Sequence, residues 1–332
     1  MMDISFIIPT FNSEKYIIQC IDSIISQELQ NITYEIIVID ANSSDTTLKK
    51  IQKYNELKIL KNRFKTGEAG KKIGIDASSG KYLCLVDSDN ILNPNYIKRS
   101  LRILNHENKA LGLEPIKFKY DKSFGLIDNY CSLAGVNDPL NLYFKNFDKL
   151  SYFYDTWTKC KYEIINENDE YIFCSFDSEV PTFGANGTII IGDIARKYSR
   201  EIKHPYFFDN DFIIHLFKKT NNLKFIKIKL DLTHHYCGNS FRTFYKKQRR
   251  RVNDFLFYEN IREVDLNKKK KINIIIFILD CIFVFPLLYK SLKVFFKTKK
   301  KEILIHIFIC WITLYVYSLS SVIYLKKREK YN

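Results

Sequence analysis

The chain has no GxGxxG and no GxxxxGK[ST] loop, so it lacks the glycine-rich cradles of dinucleotide-dependent oxidoreductases and P-loop phosphotransferases. Nor does a glycine-rich, lysine-bearing loop follow the first strand, which counts against a nucleotidyltransferase holding a triphosphate. No two of the eight cysteines form a CxxC pair, and Cys84, Cys160, Cys174, Cys281 and Cys310 lie inside apolar or aromatic runs. A zinc site and a disulfide framework therefore lose support, and reduced, mostly buried thiols in a cytosolic setting are expected. Asp3 leads straight into an apolar strand, so no signal sequence is expected at the start. Residues 1–232 also lack any charge excess, with 31 Lys and Arg against 30 Asp and Glu. The whole imbalance sits in residues 233–332, with 21 against 7. Those residues also hold the longest hydrophobic runs, so anionic membrane lipids, and not nucleic acid, are the expected partner of the basic charge.

What is present is organised around Tyr82-Leu83-Cys84-Leu85-Val86, which stops on Asp87-Ser88-Asp89-Asn90. Five apolar residues in succession predict a strand buried on both faces, and its carboxyl end is where open α/β sheets bind ligands. Two carboxylates so close repel when ionised in a cleft. A divalent cation with oxygen ligands, itself holding a phosphate, would relieve them, although the same residues also suit a solvated turn. Upstream, strands are expected at residues 4–8, 34–39 and 57–60. A helix over 14–27 puts Tyr16/Ile17, Cys20/Ile21 and Ile24/Ile25 on one face; Asp45 or Ser44 can cap the next. A third, over 67–77, is rich in small residues and implies close packing on something flat. The alternation predicts a doubly wound, Rossmann-like α/β half: a mostly parallel central sheet with helices on both faces.

Four blocks carry a resemblance: Ile7-Ile8-Pro9-Thr10-Phe11-Asn12, Val38-Ile39-Asp40-Ala41-Asn42-Ser43-Ser44-Asp45-Thr46, Gly74-Ile75-Asp76-Ala77-Ser78-Ser79-Gly80-Lys81-Tyr82 and Asp87-Ser88-Asp89. In this order the set resembles the glycosyltransferase family 2 domain of the GT-A fold. The resemblance implies that Pro9, Thr10, Asn12, Glu14 and Asp40 contact the nucleobase and ribose of a sugar nucleotide. Lys71, where the family often has an arginine, would touch phosphate or ribose without bidentate geometry. Asp87, Ser88 and Asp89 match the DxD motif, with Asp89 on Mg²⁺ or Mn²⁺ and Asp87 on ribose or metal-bound water.

Further along, Gly184-Ala185-Asn186-Gly187 resembles the acceptor-side loop of membrane-linked members, its small residues allowing close backbone approach. In Asp209-Asn210-Asp211 either acid could be the base that an inverting transfer needs, with Asp211 preferred because the family motif tends to place the base second. Of His234 and His235, at most one can face the metal, since neighbours on an extended segment point opposite ways; His235 is the expected ligand. Residues 240–256 read as a basic amphipathic helix, from which Arg250 could reach the donor diphosphate or a lipid phosphate.

In the tail, residues 272–296 are interrupted by Asp280, Pro286, Lys290 and Lys293, which suits interfacial or re-entrant docking. Residues 303–325 carry no acid, Lys or Arg and are long enough to cross a bilayer. Basic clusters at 268–271, 297–301 and 326–330 flank these segments. The expected organisation is a catalytic domain over 1–232, a basic segment over 233–267 that closes the active site or contacts the membrane, and a membrane-associated tail over 268–332. The resemblance implies an inverting, metal-dependent transferase at the cell membrane, its catalytic domain cytoplasmic. It would move sugar from a UDP- or GDP-linked donor to a cell-surface glycan or lipid-linked acceptor. Rival readings are a polyprenyl-phosphate glycosyltransferase and a non-catalytic membrane-bound scaffold.

Overall fold

The computed structural model describes residues 2–29, 31–262 and 271–329. By compactness the chain forms two units, 1–117 with 161–234, and 118–160 with 235–332. The boundary expected after residue 232 lies close to the last crossing, between His234 and His235. The excursion over 118–160 has no counterpart in that linear division.

Through the first unit the elements run β1 (Ile4–Thr10), α1 (Ile17–Ile25), β2 (Tyr34–Asp40), α2 (Thr47–Ile51), β3 (Leu57–Lys61), α3 (Gly67–Asp76), β4 (Tyr82–Val86), β5 (Asn90–Ile91), α4 (Tyr96–His106) and β6 (Gly112–Phe118). The excursion carries α5 (Leu126–Ala134) and α6 (Leu140–Phe144). The chain then returns through β7 (Glu163–Glu167), β8 (Tyr171–Phe176), β9 (Asn186–Ile191), α7 (Gly192–Glu201), α8 (Asp209–Thr220) and β10 (Leu223–His234).

The strands form one sheet in the order β3-β2-β1-β4-β9-β6-β10-β8-β7, with β5 paired to the end of β10. The pairs β2–β3, β1–β2 and β1–β4 are parallel, as the helical crossovers between them require. Beyond β4 the expectation of a mostly parallel sheet gives way. The pairs β4–β9, β6–β9, β8–β10 and β7–β8 are antiparallel, so the sheet is mixed. Hairpin-like returns such as β7 to β8 need no crossover helix, and alternation of strands and helices in the first eighty residues carries no information about them. All five residues of β4 are buried, as its apolar run demands. The small residues of α3 do lie against something flat: a Cβ on Gly74 would stand 2.5 Å from Ile7 and 2.8 Å from Ile39 of the sheet. Helix α1 starts three residues later than expected because residues 11–16 form the turn that carries the site.

The second unit is helical. To α5 and α6 it adds α9 (Phe241–Phe257), α10 (Lys271–Phe283), α11 (Phe285–Thr298) and α12 (His306–Glu329). The Ser240 side chain caps α9, accepting from Thr243 N at 3.1 Å. α10 and α11 meet at an 87° bend where Val284 has φ +61° and Pro286 opens the second helix. This break agrees with the interruption expected in residues 272–296. Residues 301–324 are long and apolar enough to cross a membrane by length and composition, with mean hydropathy 1.9. Of the flanking basic clusters, residues 268–270 and the side chains of 326–330 lie outside the described residues. The core of this unit gathers Ile127, Tyr130, Phe147, Phe244, Phe277 and Ile309, and all eight cysteines of the chain are buried thiols outside any disulfide.

Candidate active site

The loops leaving β1 and β2 are laced together before anything binds. Asn12, held at φ +48°, donates its N–H to Ser43 Oγ at 2.9 Å and accepts from Ser44 N at 2.8 Å through its side-chain oxygen. Glu14 accepts from Thr46 N at 3.0 Å and from Thr46 Oγ1 at 2.6 Å. Asp45 answers from the other side, accepting from Glu14 N and Thr47 N. Asp40 is buried and accepts from Asn42 N, Ser43 N and Ser43 Oγ, an Asx-type turn that fixes its carboxylate. Pro9 and Thr10 end β1, Thr10 buried and Pro9 backed by Gly70, where a Cβ would come 3.0 Å from the proline ring. Asn12 and Glu14 thus tie the two loops together through their side chains, and Asp40 holds the second loop through its own.

A second set converges on the end of β4. Asp87 O accepts from Asn90 N at 2.9 Å, closing the tight turn that the residues Asp-Ser-Asp-Asn favour. Ser88 Oγ lies 2.6 Å from Ser13 Oγ, tying this turn to the β1 loop. Asp87 N donates to Ala185 O at 2.8 Å, and Phe183 N donates to the Asn210 side chain at 2.8 Å. The segment before β9 therefore joins the acidic turn to the start of α8. Within it Gly187 has φ +75°, a region that favours glycine, and its carbonyl accepts from Tyr96 OH at 2.6 Å. Gly184 O is taken by Thr188 Oγ1, so three of the four expected acceptor-side residues spend their carbonyls on partners within the protein.

Lys71 on α3 is buried and paired with Asp209 at the start of α8. Burial pulls its ammonium down, but Asp209, Glu68 and Asp87 outweigh that and hold it above its ordinary value. Asp87 is half-buried, and burial together with the charges of Asp89 and Asp209 raises its carboxyl to about 6, against the opposing pull of Lys71 and His234. Asp209 thus shares the cluster with Asp87. Asp211, the preferred base, sits on the same first turn of α8 at 1% exposure, while the Asp209 side chain keeps 15%.

The histidine expectation is corrected. β5 pairs with β10 so that Asn90 lies opposite His234, and this register puts His234 Nε2 3.5 Å from Asp89 Oδ1. His235, one residue on, points the other way and meets Asp128 of the second unit at 3.5 Å. Only the cross-strand register distinguishes the two, which is why the dipeptide did not. Arg250 also lies in the second unit, on the exposed side of α9, 3.7 Å from Asp254.

Among the described residues no three His, Cys, Asp or Glu side chains gather into a self-sufficient metal cage. Asp87 and Asp89 nevertheless fit a hard divalent cation: paired carboxylate oxygens, one resisting ionisation until a positive charge arrives. An ion there would take its remaining ligands from water and from the phosphates of a ligand.

Residues 5–158 match the family described as Glycosyl transferase family 2. The match covers less than half of the chain, and over these residues the sequence is similar to glycosyltransferase family 2. The chain is 30% identical over 122 residues to the poly(ribitol-phosphate) beta-N-acetylglucosaminyltransferase TarS of Staphylococcus aureus, covering 35% of this chain and 21% of that one. Glycosyltransferase GlyG of Streptococcus pneumoniae is 31% identical over 127 residues, covering 37% of this chain and 41% of the relative. The chain thus spans between 21% and 41% of the length of these two relatives. Among solved structures, mannosyltransferase PcManGT from Pyrobaculum calidifontis, in complex with GDP-Man and Mn²⁺, superposes with a TM-score of 0.51 at 10% identity. That likeness covers 95% of this chain and 86% of the other, and with it the mixed α/β sheet takes its place in the GT-A class.

Proposed function

We propose that the chain transfers a sugar, with inversion, from a UDP- or GDP-linked donor to a glycan or lipid-linked acceptor at the cytoplasmic face of a membrane. The observation that carries this reading is the cluster of Asp87, Asp89, Lys71 and Asp209 at the carboxyl edge of the parallel strands. The laced loops after β1 and β2 form the nucleoside side of the pocket, with Pro9, Thr10, Asn12, Glu14 and Asp40. Lys71 holds an oxygen of the diphosphate, for which Asp209 stands in when no donor is present. Asp87 and Asp89 hold Mg²⁺ or Mn²⁺, which supplies neutralising charge to the departing diphosphate. His234 backs Asp89 and fixes its orientation.

Asp209 rather than Asp211 is the proton acceptor in this reading. A base must meet a hydroxyl arriving from solvent, and Asp209 has the more exposed carboxylate beside the donor-binding acids. The printed names of relatives are consistent with a surface polymer or a lipid-linked acceptor: one acts on poly(ribitol-phosphate), another on a dolichyl phosphate-linked sugar.

The test is a screen of nucleotide sugars with Mn²⁺ or Mg²⁺, reading nucleoside diphosphate release with and without a membrane lipid extract. Release that needs the cation and falls about 10²–10⁴-fold in Asp209→Asn is expected. Turnover that survives in both Asp209→Asn and Asp211→Asn would favour a phosphate acceptor such as polyprenyl phosphate, which needs no strong base. No cation-dependent binding of any sugar nucleotide would leave the scaffold reading.

A further inference from the structure

The second unit contains a cleft that the transfer chemistry does not use. It has a volume of about 610 Å³ and is lined by Arg242, Tyr245, Lys246, Arg249, Arg250, Asn253 and Asp254, all on α9. The opposite side of α9 is anchored: Phe244, Gln248 and Val252 are buried, and Gln248 donates to Asn137 O at 2.6 Å. Anchoring fixes which residues look outward. The four cations fall at i, i+4, i+7 and i+8, so they crowd one stripe of the helix and repel along it. Asp254 is the single acid in the lining, 3.7 Å from Arg250. Among the described residues no carboxylate pairs with Arg242, Lys246 or Arg249. A helix that retains such repulsion gains when an anion settles among the charges, and several guanidinium groups together suit the oxygens of a phosphate.

The cleft also borders an apolar strip. Tyr245, in its lining, lies 6.3 Å ring to ring from Tyr315 of α12. Tyr315 is 58% exposed and continues along one face of α12 into Trp311 and Phe308, at 44% and 57%. Aromatic and apolar side chains left in water beside a cationic cleft match a molecule with a phosphate at one end and a hydrocarbon chain at the other.

We propose that the α9 cleft binds the phosphate headgroup of a membrane lipid, whose chain lies along Tyr315, Trp311 and Phe308. This deepens the transfer reading by naming the chemistry of the surface or acceptor met by the second unit, and it rests on that reading only for its biological meaning. Binding is read without any sugar transfer, so either idea can fail alone.

The experiment is sedimentation of the full chain with phosphatidylcholine vesicles, with and without added phosphatidic acid. The wild type should partition strongly to the phosphatidic acid vesicles. The variant Arg242→Gln/Lys246→Gln/Arg249→Gln/Arg250→Gln should lose roughly a thousandfold of that preference, as expected for four cations near an anionic surface. A charge-matched control, Lys109→Gln/Lys161→Gln/Lys197→Gln/Lys203→Gln, at exposed positions of the first unit, should keep it. Both variants are first shown to be folded by circular dichroism. Equal losses in both, or retained preference in the α9 variant, would overturn the proposal. So would protection of these arginines by inorganic pyrophosphate without any vesicle preference, which would mark a site for soluble phosphates.

Discussion

Replacing Asp87 by Asn should stabilise the cation-free protein while abolishing its response to divalent metal. The carboxyl of Asp87 moves from an ordinary 3.8 to about 6 in the fold, because burial and its acidic neighbours disfavour the charge. Since the folded value is the higher one, its contribution is fully present below 3.8 and is lost as the pH rises through about 6. At pH 7.5 the ionised side chain therefore costs about 3 kcal/mol relative to the unfolded chain, or about 2 kcal/mol after allowing for solvent screening at a half-buried group. At pH 5 about half of that penalty remains, and near pH 3.5 almost none. The assay is thermal unfolding in EDTA and in Mn²⁺ across this range. In EDTA at pH 7.5 the Asn variant should melt roughly 4–8 °C above wild type, with the gap closing as the pH falls. Mn²⁺ should raise the wild-type midpoint at pH 7.5, much less at pH 5, and leave the variant unmoved. An Asn variant no more stable than wild type in EDTA at pH 7.5, or an equal Mn²⁺ response in both proteins, would refute the electrostatic account of the site.

Two further outcomes follow from packing. Lys227→Met takes from the buried Glu114 the ammonium that meets it at 2.5 Å, both side chains being essentially unexposed. The loss should be about 3–5 kcal/mol by urea unfolding, largely restored by a second change of Glu114 to Leu. Gly74→Leu drives side-chain atoms into Ile7 and Ile39, already within 2.8 Å of a bare Cβ, and should cost about 1–3 kcal/mol by the same measurement.

The strand that carries the acidic pair was legible because its pattern is local. An apolar pentapeptide ending on two acids specifies a buried strand and what stands at its tip, and the glycines of α3 announced the sheet they pack on. Lys71 and Asp209 are a different matter. They are 138 residues apart, and nothing in either local pattern says that they meet. The same limit applies to the choice between Asp209 and Asp211, which turns on exposure within one helical turn. It applies equally to residues 118–160, whose aromatic content fits a core without saying which core. The antiparallel half of the sheet escaped for a related reason: strands reached without a helical crossover leave no alternation to read.

The two neighbouring imidazoles at the close of β10 show how little slack the chain has there. His234 answers to Asp89 and His235 to Asp128, with no spacer residue between the two duties. Adding or deleting one amino acid at this junction would exchange the partners or strand both, so insertions for tags, hinges or domain grafts belong elsewhere. A cut placed between them that left residues 118–160 with the first unit would also strip Asp128 of the Cys237 and Gly238 amides it accepts from at 2.7 Å. The helical part, expressed by itself, must therefore begin no later than His235 and must bring residues 118–160 along.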